Sequence, residues 1–309
     1  MRAWIWNTGR HWFWQLIEAM PDFMRVRLLY LRYKRCLPNL RHPQKYTEKI
    51  QWRKLYDRRE VLTRLCDKYR VKEYVKSRIG DSVLPKVYWA SSDVDTFDLA
   101  SLPDSFVLKP NHGSNWVMVV KDKRELDVAA TKAQMRAWLS EQFGGSRAEW
   151  GYAAIEPLVY AEELLQTADG KVPSDYKMLV FDGKVQFIVV EHDRFGEMVV
   201  PFYDRHWNLL KMFCDEGGKH PGLPKPINFE QMMAYAETLA AGIDFVRVDF
   251  YNIEGRLYFG EYSVYPASGF GSVPADLDLQ VGVFWRLDQM AILQASAVTN
   301  HKPLMPAGV

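Results

Sequence analysis

The pairing of two short stretches near the end of the chain most limits what it can fold into. Phe245-Val-Arg-Val-Asp-Phe-Tyr251 alternates in the manner of a half-buried strand, and Tyr258-Phe-Gly-Glu261 follows after a short connection. Side chains of a strand alternate between faces, so Val246, Val248 and Phe250 share one face while Arg247 and Asp249 share the other. Asn252-Ile-Glu-Gly255 supplies the turn, with Gly255 suited to the left-handed backbone that closes a hairpin. A three-residue loop over 253–255 predicts position 247 opposite 261 and 249 opposite 259. Arg247, Asp249 and Glu261 then lie on one face, a cation beside two carboxylates. Clustered carboxylates repel unless positive charge lies between them, and their hard oxygens suit Mg²⁺. A register one residue different turns Glu261 to the opposite face. The alternative is an ordinary surface hairpin carrying an Arg–Asp pair.

The rest of the chain can support such a centre. Its 309 residues suffice for one large or two to three smaller domains, and 48% hydrophobic with 25% charged residues excludes a disordered chain. A net charge of +2 gives no argument for nucleic acid. Charge is concentrated at the start, where Arg2, Arg10, Arg25, Arg27, Arg32, Lys34 and Arg35 face only Glu18 and Asp22. Trp4, Trp6, Trp12, Phe13, Trp14, Phe23 and Tyr30 accompany them. Basic and aromatic residues together suit an interfacial helix on anionic headgroups, and packing on the domain is the equal alternative. No apolar run reaches membrane-spanning length, and no signal-peptide core develops before Pro21. Cys36, Cys66 and Cys214 lack metal-ligand spacing and read as reduced thiols. A cytoplasmic protein is expected, with peripheral contact at the inner membrane face through residues 1–35.

Periodicity predicts amphipathic helices over 1–35 broken near Pro21, then mainly helix over 47–79 ended by Gly80. Strands are expected at 84–89, 106–109, 116–120 and 158–164, with a helix around 131–143 before the last. Asp182-Gly183 marks a hairpin joining 176–180 to 184–190. A helix over 229–241 has Asn228 as cap, Gln231 placed for a capping box and Gly242 as stop. Residues 221–226 read as a connector, and a final helix is expected over 283–296. Helices mixed with antiparallel strand pairs argue an α+β fold.

The stretch Phe106-Val-Leu-Lys-Pro-Asn-His-Gly-Ser-Asn115 sets a lysine at a strand end before a small, flexible loop. Backbone N–H groups of such a loop can converge on phosphate, with Lys109 adding a point charge. It is not a Walker loop, because the glycine spacing and Gly-Lys-Ser/Thr ending are missing. Alone it is weak. Taken in order with Cys66-Asp-Lys68 on a helix, Tyr160-Ala-Glu-Glu-Leu-Leu165, Asp175-Tyr-Lys177, Arg247-Val-Asp249 and Phe259-Gly-Glu261, it resembles the ATP-grasp superfamily. Leu37-Pro-Asn-Leu, Tyr46-Thr-Glu-Lys-Ile, Phe181-Asp-Gly-Lys184 and Pro266-Ala-Ser-Gly269 extend the resemblance to the TupA-like branch, over roughly 37–282. That branch is associated with bacterial surface polysaccharide, capsule and teichuronopeptide synthesis.

The resemblance implies an ATP-grasp fold, two α+β subdomains clasping ATP. A helical N-terminal region (1–60) would precede a subdomain with the phosphate loop (61–165) and one with the Mg²⁺-binding strands (166–309). It implies that Lys68 and Lys109 contact ATP phosphates beneath a loop of His112, Gly113, Ser114 and Asn115. Glu162 would accept from the adenine amino group, with backbone near Glu163 and Leu165 completing the base contacts. Asp175 would hold the ribose and Lys177 a phosphate or substrate. Asp249 and Glu261 would bind Mg²⁺, with Ser263 replacing the asparagine many relatives carry there. Arg247, Lys109 and the N–H groups near Gly269 would stabilise charge during reaction. His112 as a general base is the less favoured role for a loop histidine.

The implied reaction is ATP-dependent carboxylate–amine ligation on a glycan or glycan precursor carrying a uronic acid or similar carboxylate, with an amine or amino acid as second substrate. The alternatives are a sugar kinase of this fold, a glycosyltransferase, or a non-catalytic nucleotide-binding module of a polysaccharide locus.

Overall fold

The computed structural model describes residues 14–300 apart from 15, 195, 211–221, 272 and 274. Trp4, Trp6, Trp12, Phe13, Arg2, Arg10 and Cys214 lie outside the described residues.

Helix α1 (Asp22–Lys34) begins just after Pro21, where the sequence places the break. The expected helical stretch 47–79 is three helices: α2 (Tyr46–Tyr56), α3 (Glu60–Cys66) and α4 (Val71–Ile79). Glu48 begins α2 by accepting from the N–H groups of Gln44 and Lys45. Asp67 begins α4 by accepting from Tyr69 and Arg70. These two local carboxylate caps segment what periodicity alone reads as continuous. Lys68 consequently stands in the turn between α3 and α4, not on a helix.

Strand β1 (Val87–Ser91) starts later than the sequence suggests. The residues before it turn instead, with Leu84 N–H on Asp81 and the Val83 carbonyl accepting from Phe259. Strands β2 (Phe106–Pro110) and β3 (Met118–Val120) follow, then α5 (Val128–Ser140) and β4 (Val159–Glu162). They form an antiparallel sheet in the order β1-β4-β2-β3. Phe106, Leu108, Val159 and Ala161 pack there against Met135 and Trp138 of α5.

A second antiparallel sheet has the order β7-β6-β5-β8-β9. It comprises β5 (Asp175–Phe181), β6 (Lys184–Glu191), β7 (Phe202–Asp204), β8 (Phe245–Ile253) and β9 (Arg256–Ser263). Helix α6 (Phe229–Leu239) covers one face with Met232, Met233, Ala236 and Leu239, next to Val180, Val246 and Val248. Leu62, Leu65, Val71 and Val75 of α3 and α4 join this larger core. On the opposite face, Phe245 packs edge-on to Tyr46 at 5.2 Å and near Trp285 at 4.6 Å. Beyond that aromatic plug the same face turns charged.

Three other expectations are corrected. Asn228 does begin α6, but its side chain donates to Gly255 and accepts from Asn252, so it makes no cap bond. Gln231 meets Tyr235 rather than completing a capping box. The last expected helix is two, α7 (Ala275–Phe284) and α8 (Gln289–Asn300). Between them Trp285 is fully buried with its indole N–H on Asp244, and Asp288 accepts from Ala291 at the start of α8.

Candidate active site

The β8–β9 hairpin closes with Ile253 opposite Arg256, so its loop is the two residues Glu254-Gly255, both with positive φ. The expected three-residue loop is wrong. That tighter turn alone would send Glu261 to the far face. A bulge between Asp249 and Phe250 on one strand and Glu261 and Phe259 on the other takes up Gly260 and restores the parity. The outcome is Asp249 opposite Glu261 and Arg247 opposite Ser263. Register then sets Asp175, Lys177, Glu191, Arg247, Asp249, Glu261 and Ser263 on one face.

These groups form a continuous charge network. Arg247 donates both Nε and Nη2 to the Asp249 carboxylate, at 2.7 and 2.5 Å, with Nη2 3.7 Å from Glu261. Lys177 joins Asp175, with Asp249 and Glu191 each 3.5 Å away. Arg194 approaches Glu191 and Asp175 from outside. Lys68 reaches across from the α3–α4 turn to Glu261 at 2.5 Å. Burial alone would raise the Glu261 carboxyl, but Lys68 and Arg247 overcome it and hold it at about 2. Asp175 goes the other way: burial and the neighbouring Asp249 charge push it up to about 6, against the pull of Lys177.

A smaller cluster lies on the four-stranded sheet. Glu162, on central strand β4, is clamped between Lys109 and Lys72, the latter at 2.9 Å. Burial opposes its ionisation, yet the two lysines lower it below the ordinary carboxylate range. Tyr160 connects the clusters, its ring 5.5 Å from Lys109 Nζ and its hydroxyl 3.5 Å from the Lys68 carbonyl. The Lys68 N–H donates to Asn111, tying that turn to the loop after β2.

The loop residues divide into anchor and span. Asn111 is fully buried, donating to Asp67 and accepting from the Leu158 N–H. His112 is also buried, with Nε2 3.1 Å from the Trp138 carbonyl and 3.2 Å from that of Glu141. Its ring is thus spent on the end of α5. Gly113 passes so close to the Trp116 ring that an added Cβ would lie 2.4 Å from it. Ser114 is half-buried, and Asn115 has a left-handed φ of 61°. Glu163 is engaged with the start of β1, its N–H on the Lys86 carbonyl and its carboxylate accepting from Lys86 N–H. Leu165 is half-buried just beyond. Gly269 lies in the turn Pro266–Gly269 that follows β9.

Sequence reasoning missed Lys72, Glu191 and Arg194. Lys72 sits in the first turn of α4, four residues after Lys68, a spacing that offered the only signal.

The donor chemistry fits a hard divalent cation. Asp249 and Glu261 stand opposite one another on a shared face, both within reach of Arg247, and Glu261 is held ionised. Asp175 Oδ1, on the same face, is buried with no hydrogen-bond partner but does not join them as a third carboxylate. Among the described residues, no three His, Cys, Asp or Glu side chains converge as a metal cluster, so two carboxylates with the Ser263 hydroxyl are the available set.

Several solved structures share low similarity with this chain. A D-alanine–D-alanine ligase from Bacillus anthracis, complexed with ATP, is 15% identical, with 77% of this chain and 67% of that one covered and a TM-score of 0.42. The ADP complex of an N5-carboxyaminoimidazole ribonucleotide synthetase is 14% identical over 66% and 46%, with a TM-score of 0.42. An L-amino acid ligase from Bacillus licheniformis is 15% identical over 62% and 42%, with a TM-score of 0.37. Among curated proteins no sequence matches. The sequence model of the TupA-like ATP-grasp family matches residues 48–284. That span holds both sheets and every charged group of the two clusters, and the chain belongs to the TupA-like ATP-grasp family.

Proposed function

We propose that this protein is an ATP-dependent carboxylate–amine ligase acting on a bacterial surface glycan or its precursor. The observation that carries this reading is the single charged face of the five-stranded sheet, where Arg247, Lys177 and Lys68 interleave with Asp175, Asp249 and Glu261. Two anionic reactants must meet there, and these cations offset their repulsion. A carboxylate oxygen attacks the γ-phosphorus of ATP, giving an acyl phosphate and ADP. An amine then attacks the acyl carbon; the C–O bond to phosphate breaks, leaving amide, phosphate and a released proton.

Each residue has a role in that sequence. Asp249, Glu261 and Ser263 hold Mg²⁺, which when bound offsets the charge of the phosphates. Lys68 and Lys109 contact the phosphates, exchanging Glu261 and Glu162 for nucleotide oxygens. The loop Gly113–Asn115 with His112 at its root covers them. The β4 edge from Glu162 through Glu163 to Leu165 receives adenine, with Glu162 held by Lys72 once Lys109 has turned to the nucleotide. Asp175 accepts from the ribose, and its unpartnered Oδ1 supports that role. Lys177 contacts phosphate or substrate. Arg247 and the turn at Gly269 stabilise the developing charge. Residues 61–165 and 166–309 act as the two subdomains of the clasp, after a helical region 1–60.

The glycan acceptor rests on the family's association. Peripheral membrane contact would bring the enzyme to such acceptors. On α1 the exposed Met24, Leu28 and Leu31 lie beside exposed Arg27, Arg32 and Arg35, a face suited to anionic headgroups. No helix among the described residues is long and apolar enough to cross a membrane.

The test is incubation with ATP, Mg²⁺, a uronic-acid-bearing glycan precursor and candidate amines. ADP, phosphate and an amide in equal amounts are expected. Amide without nucleotide turnover, or a stable phosphorylated sugar, rejects the ligase. Loss of sedimentation with anionic vesicles on deleting residues 1–35 tests the membrane contact, and unchanged sedimentation refutes it.

A further inference from the structure

The turn after β9 is strained. Ala267, Ser268 and Gly269 take left-handed backbone in succession, with φ of 47°, 57° and 67°. Gly269 suits it, but alanine and serine there cost free energy that the surroundings must offset.

The surroundings are polar and buried. Lys54, on α2 and with no solvent exposure, donates to both the carbonyl and the hydroxyl of Ser268, each at 2.6 Å. Its third donor position faces Gln51 Oε1 at 3.2 Å, while Gln51 Nε2 donates to the same Ser268 carbonyl at 3.0 Å. Glu149, from the segment preceding residues 150–152, lies beside the Lys54 ammonium and favours its charge. The Phe270 ring lies 4.3 Å from Lys54 Nζ. A desolvated ammonium is a costly way to fill a core, and an apolar side chain would do so more cheaply. What a lysine adds is three directed donors, spent here on holding one turn and its neighbour.

We infer that Lys54 is a positioning residue of the catalytic centre: its buried ammonium group, joined to Ser268 and Gln51, locks the Pro266–Gly269 turn in its left-handed shape. The inference rests on the proposed reading of that turn as part of the reacting site. The turn begins three residues past Ser263, so its shape sets the path of the chain as it leaves the Glu261 strand. Lys54 acts through the backbone and touches no substrate. Charged groups facing it are Glu149, which favours the ammonium, and Arg147, which opposes it; burial lowers Lys54 to about 7 and raises Glu149.

Hydrogen exchange of the intact chain, read on the peptide 265–271, tests the lock without any ligand. Lys54→Met is expected to speed exchange there roughly 10- to 100-fold, the loss of a charge-assisted hydrogen bond, with strand 245–253 unchanged. Lys54→Arg restores part of the protection. If Lys54→Met does not fold, Ser268→Ala decides, with a smaller acceleration expected. Unchanged exchange in either folded variant overturns the inference. Release of ADP separates this failure from the other: a wild-type rate in Gly269→Ala overturns the reading of the turn as part of the site, and the inference with it. An impaired Gly269→Ala beside wild-type exchange in Lys54→Met overturns the inference alone.

Discussion

Asp249 stands directly opposite Glu261 because a bulge, and not the hairpin turn, sets their register. The two-residue turn brings the strands together one position out of step, and Gly260 takes up the difference. Deleting Gly260 would only smooth the bulge and still pair Glu261 with Asp249, so the pair is tested instead by Glu261→Ala, which removes one carboxylate and keeps the bulge. ADP release is expected to fall by about a hundredfold or more, the scale of losing a group that stabilises transferring charge. Far-UV circular dichroism should be unchanged, and a Glu261→Ala variant with wild-type turnover would remove the carboxylate pair from the mechanism.

Glu162 should prove essential for stability in a way its lysines reveal. Glu162→Leu leaves both Lys72 and Lys109 facing a buried apolar side chain. A loss of about 3–5 kcal/mol is expected, as for other broken buried pairs. Adding Lys72→Met should recover part of it, since one stranded charge is removed. Urea unfolding of the two single variants and the double variant measures the coupling; strictly additive effects would mean that Lys72 and Glu162 do not interact.

Acid should release a specific portion of the stability. The Glu261 carboxyl is held at about 2, below its ordinary 4.5. A depressed carboxyl binds fewer protons folded than unfolded, so its contribution is complete above 4.5 and is lost as pH falls from 4.5 toward 2. That portion is on the order of 3 kcal/mol. Glu261→Gln should flatten the stability curve in this window and leave its slope above pH 5 unaltered. An identical acid slope in the variant would show that Lys68 does not hold Glu261 ionised.

Arg53 is expected to be the costliest single truncation away from the charged face. It is wholly buried, donating to the Phe245 carbonyl at 2.8 Å and to both oxygens of Asp244 at 2.9 Å, with its guanidinium 4.4 Å from the Trp285 ring. Asp244 also binds Arg59 and the Trp285 indole. Arg53→Met should cost about 3–5 kcal/mol. The urea midpoint reads this directly, and a shift within error would rule out the network as a determinant of stability.

The sequence carried the identity of the strands better than their alignment. Alternation in 245–251 and Asp182-Gly183 located both long hairpins of the larger sheet. Yet each hairpin has a bulge, one at Gly260 and one between Leu179 and Val180, where Leu179 pairs Phe187 while Val180 pairs Val185. Bulges leave no period in the sequence. The first happened to preserve the expected face for Glu261 despite a wrong turn length. The second brings Glu191 to Asp175, where simple counting from the turn sets Val190. Lys72 escaped notice for another reason: nothing in its own helix says that it meets a carboxylate on a strand about ninety residues later in the chain, a nonlocal contact of the kind only packing reveals. His112 looked like a loop residue free to touch ligand, and the carbonyls at the end of α5 that occupy it come 26 and 29 residues later, again beyond any local pattern.

That occupation of His112 has a mechanical result. With the ring fastened to α5, the flexible part of the loop shrinks to 113–117, between a fixed root and the start of β3. Five residues extend roughly 17 Å at most, so a span tethered at both ends can swing its tip by only about half that. Any cover it provides must pivot about the imidazole like a short flap on a pinned hinge, and loosening the pin would lengthen the flap at the expense of its aim.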